Sequence, residues 1–243
     1  MTAEHDIAEL LAALRGYLEE LRESGVDGLP YAPASPPAQA TVAPVPVPTV
    51  APLERETVDQ VRAGLGDCQR CQLGRTRTGL VFGGGNPRAR LVFIGEAPGE
   101  EEDRCGEPFV GEAGQLLSKI IQAMGFAREE VYVCTLLKCR PPEDRMPLPE
   151  EIEACLPFLR RQLEAIGPEV IVALGTLAAQ TLLQTKEPIS RLRGRFHDWH
   201  GFRLMPTFHP AFLLQNAAMK REVWSDMQQV MRALGKDAPK KSS

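Results

Sequence analysis

The chain of 243 residues lacks any apolar run of about 18 residues, which is the length that a transmembrane helix needs. It also lacks the basic segment and the cleavage pattern of a secretory signal peptide, so we expect a cytoplasmic protein without a membrane anchor. Basic residues are not in excess, because 28 Lys and Arg face 32 Asp and Glu and the net charge is −4. Overall charge therefore gives no sign of nucleic-acid binding, and any such site must depend on local charge.

Six cysteines are present, and in a cytosolic chain of this length they indicate thiol or metal chemistry rather than a disulfide framework. Four of them form a constellation: Cys68 and Cys71 in a CQRC turn, Cys139 in KCRPP, and Cys155 on the helix predicted next. Four thiolates suit a tetrahedral zinc ion or a cubane iron–sulfur cluster, and the spacing does not choose between them. The alternative is that Cys139 and Cys155 are small core residues, as Cys134 is expected to be. Cys105 receives no role.

The N-terminal segments are predicted to lie outside the globular domain. Residues 1–25 carry apolar residues at helical spacing and are interpreted as an amphipathic helix, which either packs on its own domain or binds a protein partner. Residues 26–53 are rich in Pro and Ala and nearly uncharged, which is typical of an extended, disordered linker. The globular domain is then predicted over 54–235, followed by a tail at 236–243, and we expect a monomer.

Within this domain, apolar segments alternate with segments of helical periodicity. The predicted strands are 90–95, 130–137, 169–174 and 202–208, and the predicted helices are 112–124, 149–166, 176–184 and 211–234. This alternation indicates βαβ units in an α/β fold, a three-layer αβα sandwich around a mostly parallel sheet, with a local hairpin at 194–204. Because ligands bind beyond the carboxyl ends of parallel strands, the segments 95–99, 135–142 and 206–214 are expected to form one site.

Several motifs together resemble those of the family 4 uracil-DNA glycosylases, in matching order and spacing over about residues 60–232. They are CxxC (68–71), GEAPGEEED (95–103), GEPFVGEAGQLL (106–117), KCRPP (138–142), Cys155 and TFHPAFLL (207–214). The resemblance implies a four-stranded parallel sheet between helices and excision of uracil from DNA. It also implies a structural [4Fe–4S] cluster held by the four cysteines of the constellation, which favours iron–sulfur over zinc.

The implied uracil site lies in the segments that follow the strands. A base must leave the duplex stack before its glycosidic bond is reached, and the ring of Phe109 is then expected to stack on it. The backbone of Gly95, Glu96 and Ala97 is expected to bind the base, since small residues allow close approach. His209 is expected to donate a hydrogen bond to O2, where negative charge develops as the bond to N1 breaks. The alternatives are a Phe109 buried in the core and a His209 that caps the following helix.

Two positions depart from other uracil glycosylases. Ala97 stands where the best-known members carry an aspartate that positions water, so Glu96 is the second catalytic candidate, either acting on water or only ordering its loop. Thr135 stands where the resembling family has asparagine, whose amide donates to O4 and accepts from N3–H of uracil together. The hydroxyl of threonine either donates to or accepts from the base at a given moment, and does not do both as the amide does. An alternative function is therefore a glycosylase-like iron–sulfur DNA-binding protein with weak or altered base specificity.

Two basic segments are expected to contact DNA phosphates, with a merely solvated surface as the alternative. The residues are Lys138 and Arg140 in KCRPPEDR, and Arg191 and Arg193 in SRLRGR, all beside strand ends. The segment 210–214 is expected to wedge into the gap left by the extruded nucleotide. The leading interpretation is a hydrolase that leaves an abasic site. A third interpretation is a binding module that is stabilised by a zinc ion and has no base pocket.

Overall fold

A computed structural model describes residues 55–236 together with residues 15, 16, 19, 22 and 23. The chain divides into two compact units, Met1–Ala51 and Pro52–Ser243. Those five residues of the first unit are helical, and the rest of the predicted N-terminal helix lies outside the described residues. The predicted linker at 26–53 and residues 237–243 of the predicted tail also lie outside them.

The second unit contains one sheet of six strands in the order β1-β3-β2-β4-β6-β5. The strands are β1 (Gly84–Gly85), β2 (Leu91–Gly95), β3 (Tyr132–Thr135), β4 (Val170–Leu174), β5 (His197–Trp199) and β6 (Phe202–Thr207). The four predicted strands are β2, β3, β4 and β6, and they pair in parallel. The hairpin predicted near residue 200 is confirmed, because β5 pairs antiparallel with β6.

The expected count of four strands is corrected to six by the two antiparallel edges. β1 pairs with β3 and consists of two glycines, so it has no side-chain alternation by which a strand is predicted. β5 has only three residues. Both edge strands are short, which limits the unpaired backbone that a sheet edge presents.

Eight α-helices lie in the described part of this unit. They are α1 (Val58–Leu65), α2 (Glu100–Cys105), α3 (Glu112–Ala123), α4 (Pro149–Ile166), α5 (Thr176–Leu183), α6 (Ile189–Leu192), α7 (Pro210–Gln215) and α8 (Lys220–Ala233). The helix predicted over 211–234 is interrupted at Asn216, whose φ of −130° and ψ of 66° are not helical. None of the described helices has the length and apolarity that crossing a membrane requires.

Helices cover both faces of the sheet, which confirms the αβα sandwich. On β2, Val92 and Ile94 pack in a core cluster shared with α1, α4 and α5, whereas Leu91 and Phe93 pack in one shared with α3 and α8. Strands buried on both faces explain why their sequences are continuous apolar runs rather than alternating ones. Since β2, β3, β4 and β6 run parallel, their carboxyl ends meet at one edge, and the loops that follow them build the candidate site.

Candidate functional site

A cavity of about 350 Å³ lies at the carboxyl edge of the sheet. Four segments form its wall: the loop after β2, the segment leading into α3, residues 141–147, and the start of α7. Of the residues predicted to bind a base, Glu96, Ala97, Phe109 and His209 line this cavity. Gly95 and Thr135 pair with each other at the ends of β2 and β3 and lie behind the ring of Phe109.

Phe109 is held in an unusual backbone conformation beside the cavity. Its φ is +58°, a region that side-chain-bearing residues seldom adopt and that often marks a functional position. Gly95 makes room for the ring, because a β-carbon there would lie 2.5 Å from Cζ of Phe109. Gly114 on α3 makes room for the backbone, since a β-carbon there would overlap the carbonyl oxygen of Phe109. The ring centroids of Phe109 and His209 are 5.6 Å apart, so the structure brings the predicted stacking ring and the predicted donor together.

The acidic run after Gly99 forms the first turn of α2, where carboxylates are favoured by the helix dipole. Glu102 accepts hydrogen bonds from the backbone N–H of Gly99 at 3.0 Å and of Val110 at 3.0 Å. Asp103 is buried and accepts from the backbone N–H of Thr78 at 2.9 Å. These two carboxylates therefore hold the loops that carry the cavity wall, and Glu102 also lines the cavity itself. The pattern of a Glu three residues after Gly99 is the sequence signal for this helix start.

His209 caps α7 with one ring nitrogen and leaves the other for the cavity. The backbone N–H of Ala211 donates to Nδ1 at 3.2 Å, which fixes Nδ1 as an acceptor and places the proton on Nε2. Burial lowers the pKa of His209 to about 4, with a small opposing effect from Glu102. The imidazole is therefore neutral at pH 7 and offers an Nε2–H donor. The helix-cap alternative is confirmed for Nδ1, whereas donation from Nε2–H to a base stays a prediction.

Glu96 bridges the loop after β2 to the start of α5. Its Oε1 accepts from the backbone N–H of Leu177 at 3.0 Å, and Gly175 has no side chain to obstruct this carboxylate. Burial raises the pKa of Glu96, while the hydrogen bond from Leu177 opposes that shift. One oxygen of the carboxylate is thus committed to the fold.

Thr135 is buried, and its hydroxyl is already engaged. Oγ1 donates to the carbonyl oxygen of Leu137 at 2.6 Å, so toward any further partner this oxygen is an acceptor only. Its methyl group lies near the α-carbon of Gly95, on the side where the Phe109 ring packs. The side chain therefore stands behind the cavity rather than in its lining.

Two of the four predicted DNA contacts need correction. Lys138 is fully buried, and its ammonium donates to the carbonyl of Thr135 at 2.9 Å and to Gln162 at 2.8 Å, so it does not reach solvent. Arg193 is largely buried and bonds both carboxylate oxygens of Asp226, at 2.6 and 3.0 Å. Because Asp226 also accepts from the hydroxyl of Thr207 at 2.6 Å, this network supports the end of β6 just before His209.

The other two predicted DNA contacts stand nearer to solvent. Arg191 is exposed. Arg140 bonds Asp144 at 2.8 Å and lies 3.6 Å from Glu100, and its neighbour Pro141 lines the cavity. Arg140 is therefore next to the site, but its charge is partly balanced by two carboxylates.

Three cysteines of the constellation, Cys71, Cys139 and Cys155, gather in one corner of the domain, and Cys68, from the same CQRC turn as Cys71, packs against the neighbouring core cluster. Cys139 and Cys155 are buried with Leu73 and Leu137, and Cys71 packs against the same group. Each of three sulfurs accepts a hydrogen bond: Cys139 from Arg77 at 3.3 Å, Cys155 from the backbone N–H of Lys138 at 3.4 Å, and Cys68 from Arg70 at 3.3 Å. Donors of this kind stabilise metal-bound thiolates, so the corner fits thiolate ligation.

In the absence of a metal, burial disfavours the thiolate form of two of these cysteines. Burial raises the pKa of Cys139 to about 11, and Arg77 opposes the shift. Burial likewise raises the pKa of Cys155. Without a cation the two sulfurs are therefore neutral thiols, whereas a bound metal deprotonates a coordinating thiol outright. As the side chains stand, no three His, Cys, Asp or Glu among the described residues form a group that would hold a metal ion.

Segment 141–147 forms a wall of the cavity that the sequence did not predict beyond its first two residues. Arg145 in this segment bonds the fully buried Glu151 with two hydrogen bonds, at 2.6 and 2.9 Å. Glu151 also accepts from the side chain of Gln72, the residue after Cys71. The cavity wall and the cysteine corner are thus joined through one buried carboxylate. The available sequence signal was Met146, an isolated apolar residue between charged residues and prolines.

Comparison with known proteins places this geometry in a family. The family model of the Uracil DNA glycosylase superfamily matches residues 82–228. The type-4 uracil-DNA glycosylase of Thermotoga maritima is 44% identical over 186 residues, which cover 75% of this chain and 97% of that protein. The type-4 enzyme of Archaeoglobus fulgidus is 41% identical over 192 residues, covering 76% and 96%. The chain therefore belongs to the uracil-DNA glycosylase superfamily and, within it, to the type-4 family.

Proposed function

We propose that this chain is a monofunctional glycosylase that extrudes uracil from DNA and hydrolyses its N-glycosidic bond, leaving an abasic site. The observation that carries the proposal is the cavity in which the Phe109 ring and the neutral His209 stand 5.6 Å apart. A gel assay with oligonucleotides containing uracil, hypoxanthine or xanthine tests it. We expect strand scission after alkali for uracil, and intact strands at high enzyme concentration would contradict the proposal.

The proposed chemistry follows from these two side chains. The Phe109 ring stacks on the extruded base and holds it in the cavity. As the C1′–N1 bond breaks, its electron pair moves onto the base and is shared with O2, where Nε2–H of His209 donates a hydrogen bond. That bond strengthens as charge develops and so stabilises the transition state more than the ground state. Water then adds its oxygen to C1′, and the proton that it loses is taken up, directly or through solvent, by the departing uracil anion.

Glu96 is proposed to order the loop rather than to act as the general base. We expect Glu96→Gln to keep the excision rate within about threefold, because the amide oxygen still accepts from Leu177. Glu96→Ala removes that acceptor and is expected to slow excision further by misplacing the loop. Single-turnover rates of both variants decide: a loss of about a hundredfold or more in Glu96→Gln would assign the base to this carboxylate.

Thr135 is proposed to weaken the discrimination of uracil from cytosine. Its hydroxyl is committed to Leu137 and its side chain stands behind the cavity, so position 135 supplies no amide that would donate to O4 and accept from N3–H of uracil together. Thr135→Asn is expected to increase the preference for uracil by about 1–3 kcal/mol, roughly a factor of 5 to 150. Excision rates on single strands that contain either base measure it, with Thr135→Val as the control that keeps the shape. No gain in Thr135→Asn would contradict this role.

The four cysteines of the constellation are proposed to hold a [4Fe–4S] cluster. The four cysteines supply the number of thiolates that a cubane cluster needs, and hydrogen bonds to three of their sulfurs favour the thiolate form. When bound, the cluster supplies a structural cross-link between the CQRC turn and the segment that follows β3. Lys138 extends this link, because its backbone N–H bonds Cys155 and its ammonium bonds the carbonyl of Thr135.

The proposed partner is uracil-containing DNA. Arg140 and Arg191 are proposed to contact its phosphates, and the segment 210–214 to wedge into the base stack, since Phe212 and Leu214 are exposed there. A monomeric, cytoplasmic protein is proposed, with a protein partner for the N-terminal helix. A glycosylase-like DNA-binding protein with altered specificity is kept as a second candidate, because Thr135 replaces the dual donor and acceptor of asparagine.

A further inference from the structure

Three large apolar side chains are exposed among the described residues, and all belong to segments that border the cavity. They are Met146 at 69% exposure, Phe212 at 41% and Leu214 at 45%. Phe212 and Leu214 lie on α7 in the segment already predicted as a wedge. Met146 lies on a separate wall, residues 141–147, and lines the cavity itself. Met146 therefore adds an exposed apolar group at a second side of the cavity, apart from the proposed wedge.

The backbone that carries Met146 is held rigidly although its side chain is free. Arg145 donates to the carbonyl oxygen of Met146 at 3.0 Å and, through both terminal nitrogens, to the buried carboxylate of Glu151. Glu143 and Asp144 have φ values of +55° and +52°, so the preceding turn is strained. Prolines at 141, 142 and 147 restrict the segment further. The strained and anchored turn therefore holds the backbone of Met146 in one conformation while its apolar side chain extends into solvent.

The charges of this turn are largely satisfied within the protein. Arg140 bonds Asp144, and Arg145 bonds Glu151. Apart from the phosphate contact proposed for Arg140, whose charge Asp144 partly balances, the turn presents one large apolar side chain to solvent, that of Met146. The flexible side chain of methionine adapts to the surface it meets, and its thioether makes favourable contacts with aromatic rings. The exposed face of a base next to an extruded nucleotide is an aromatic surface of this kind.

We propose that Met146 packs against the base that neighbours the extruded uracil and thereby helps to hold the duplex open at the cavity. This inference rests on the proposed function. Opening a paired site costs a few kcal/mol of unstacking and unpairing, and an apolar contact that exists only in the opened state offsets part of that cost. A single strand has little of this cost, so Met146 matters for duplex substrates above all.

The test compares single-turnover uracil excision by the wild type, Met146→Ala and Met146→Leu on a duplex U·A site and on the same sequence as a single strand. We expect Met146→Ala to slow duplex excision about tenfold and single-strand excision less than about twofold. Met146→Leu, which keeps an apolar side chain of similar volume, is expected to retain duplex activity. The slope of duplex binding against salt concentration is expected to stay unchanged in both variants.

A fluorescent base analogue such as 2-aminopurine, placed on either side of the uracil, supplies a second readout. Met146→Ala is expected to change its emission on one side only, where the side chain no longer covers the unstacked base. Equal loss on both substrates, or no loss on the duplex, would overturn the role of Met146 while leaving the glycosylase intact. A wild type that excises uracil from neither substrate would overturn the proposed function itself and this inference with it.

Discussion

Replacing His209 by alanine is expected to slow uracil excision by about 10²–10³-fold, which is the usual effect of removing one oxyanion donor. The loss belongs to the bond-breaking step, since the Nε2–H donor acts on charge that exists only in the transition state. Single-turnover rates at saturating enzyme measure this step directly. Binding of uracil-containing DNA is expected to change far less than the rate.

His209→Asn separates the donor from the helix cap. Asparagine is a good N-cap, so its side chain is expected to keep the bond from Ala211 that Nδ1 makes now, while its amide does not reach as far as Nε2. We therefore expect the asparagine variant to unfold at nearly the wild-type temperature and still to lose about a hundredfold in rate. An asparagine variant with full activity would mean that His209 serves only as a cap.

The pH dependence of kcat/KM tests the assignment of His209 as a neutral hydrogen-bond donor. Burial places the pKa of His209 at about 4, below its ordinary value, so kcat/KM for the wild type is expected to stay flat from neutral pH to about pH 5 and to fall as pH approaches 4. An inflection near pH 6.5 would contradict a buried, neutral imidazole. Between pH 6.5 and pH 4, the unfolded chain binds more protons at His209 than the folded chain does. This residue therefore makes the free energy of unfolding decrease as pH falls from 6.5 to about 4.

Replacing Cys139 by serine is expected to remove the proposed cluster and much of the stability of the domain. The absorbance at about 400 nm that an iron–sulfur cluster gives should be lost from the purified protein. A metal centre contributes folding free energy because the unfolded chain has no preformed site. A loss of about 4 kcal/mol would lower Tm by roughly 8–16 °C for a domain of this size.

Cys105→Ser is the matched control for this experiment. Cys105 is exposed at the end of α2 and stands apart from the thiol corner, so its replacement is expected to leave colour and Tm unchanged. Iron and sulfide analysis of both variants completes the comparison. A Cys139→Ser protein that keeps its full iron content would show that Cys139 is a core residue and not a ligand.

The elements with strong local patterns were predictable from the sequence. The helix predicted over 149–166 has those bounds in the structure because its apolar residues recur at helical spacing over 18 residues. The strand predicted over 90–95 is β2, because it is a short continuous apolar run that ends at a glycine. The cavity residues that follow strand ends were also predictable, since the carboxyl ends of parallel strands must meet at one edge. Glu96, Phe109 and His209 are brought together for this reason.

The directions of basic side chains were not predictable in this way. Lys138 turns inward because Gln162, on a helix 24 residues away, supplies its acceptor, and Arg193 turns inward toward Asp226, 33 residues away. Tertiary packing brings these partners together, and the local sequence around a basic residue does not indicate which distant acceptor it will contact. Met146 was missed for a related reason, because its exposure depends on the backbone conformation of the turn before it, which the residue types Glu143 and Asp144 do not indicate.

The contact between Gly95 and Phe109 has an evolutionary consequence. A side chain at position 95 would occupy the space of the Phe109 ring, so the two positions are expected to show strong epistasis. Any residue larger than glycine at 95 would be tolerated only after the aromatic ring at 109 had been replaced by something smaller. Glycine at 95 and the aromatic ring at 109 therefore act as one unit, and the effect of a substitution at either position depends on the residue at the other.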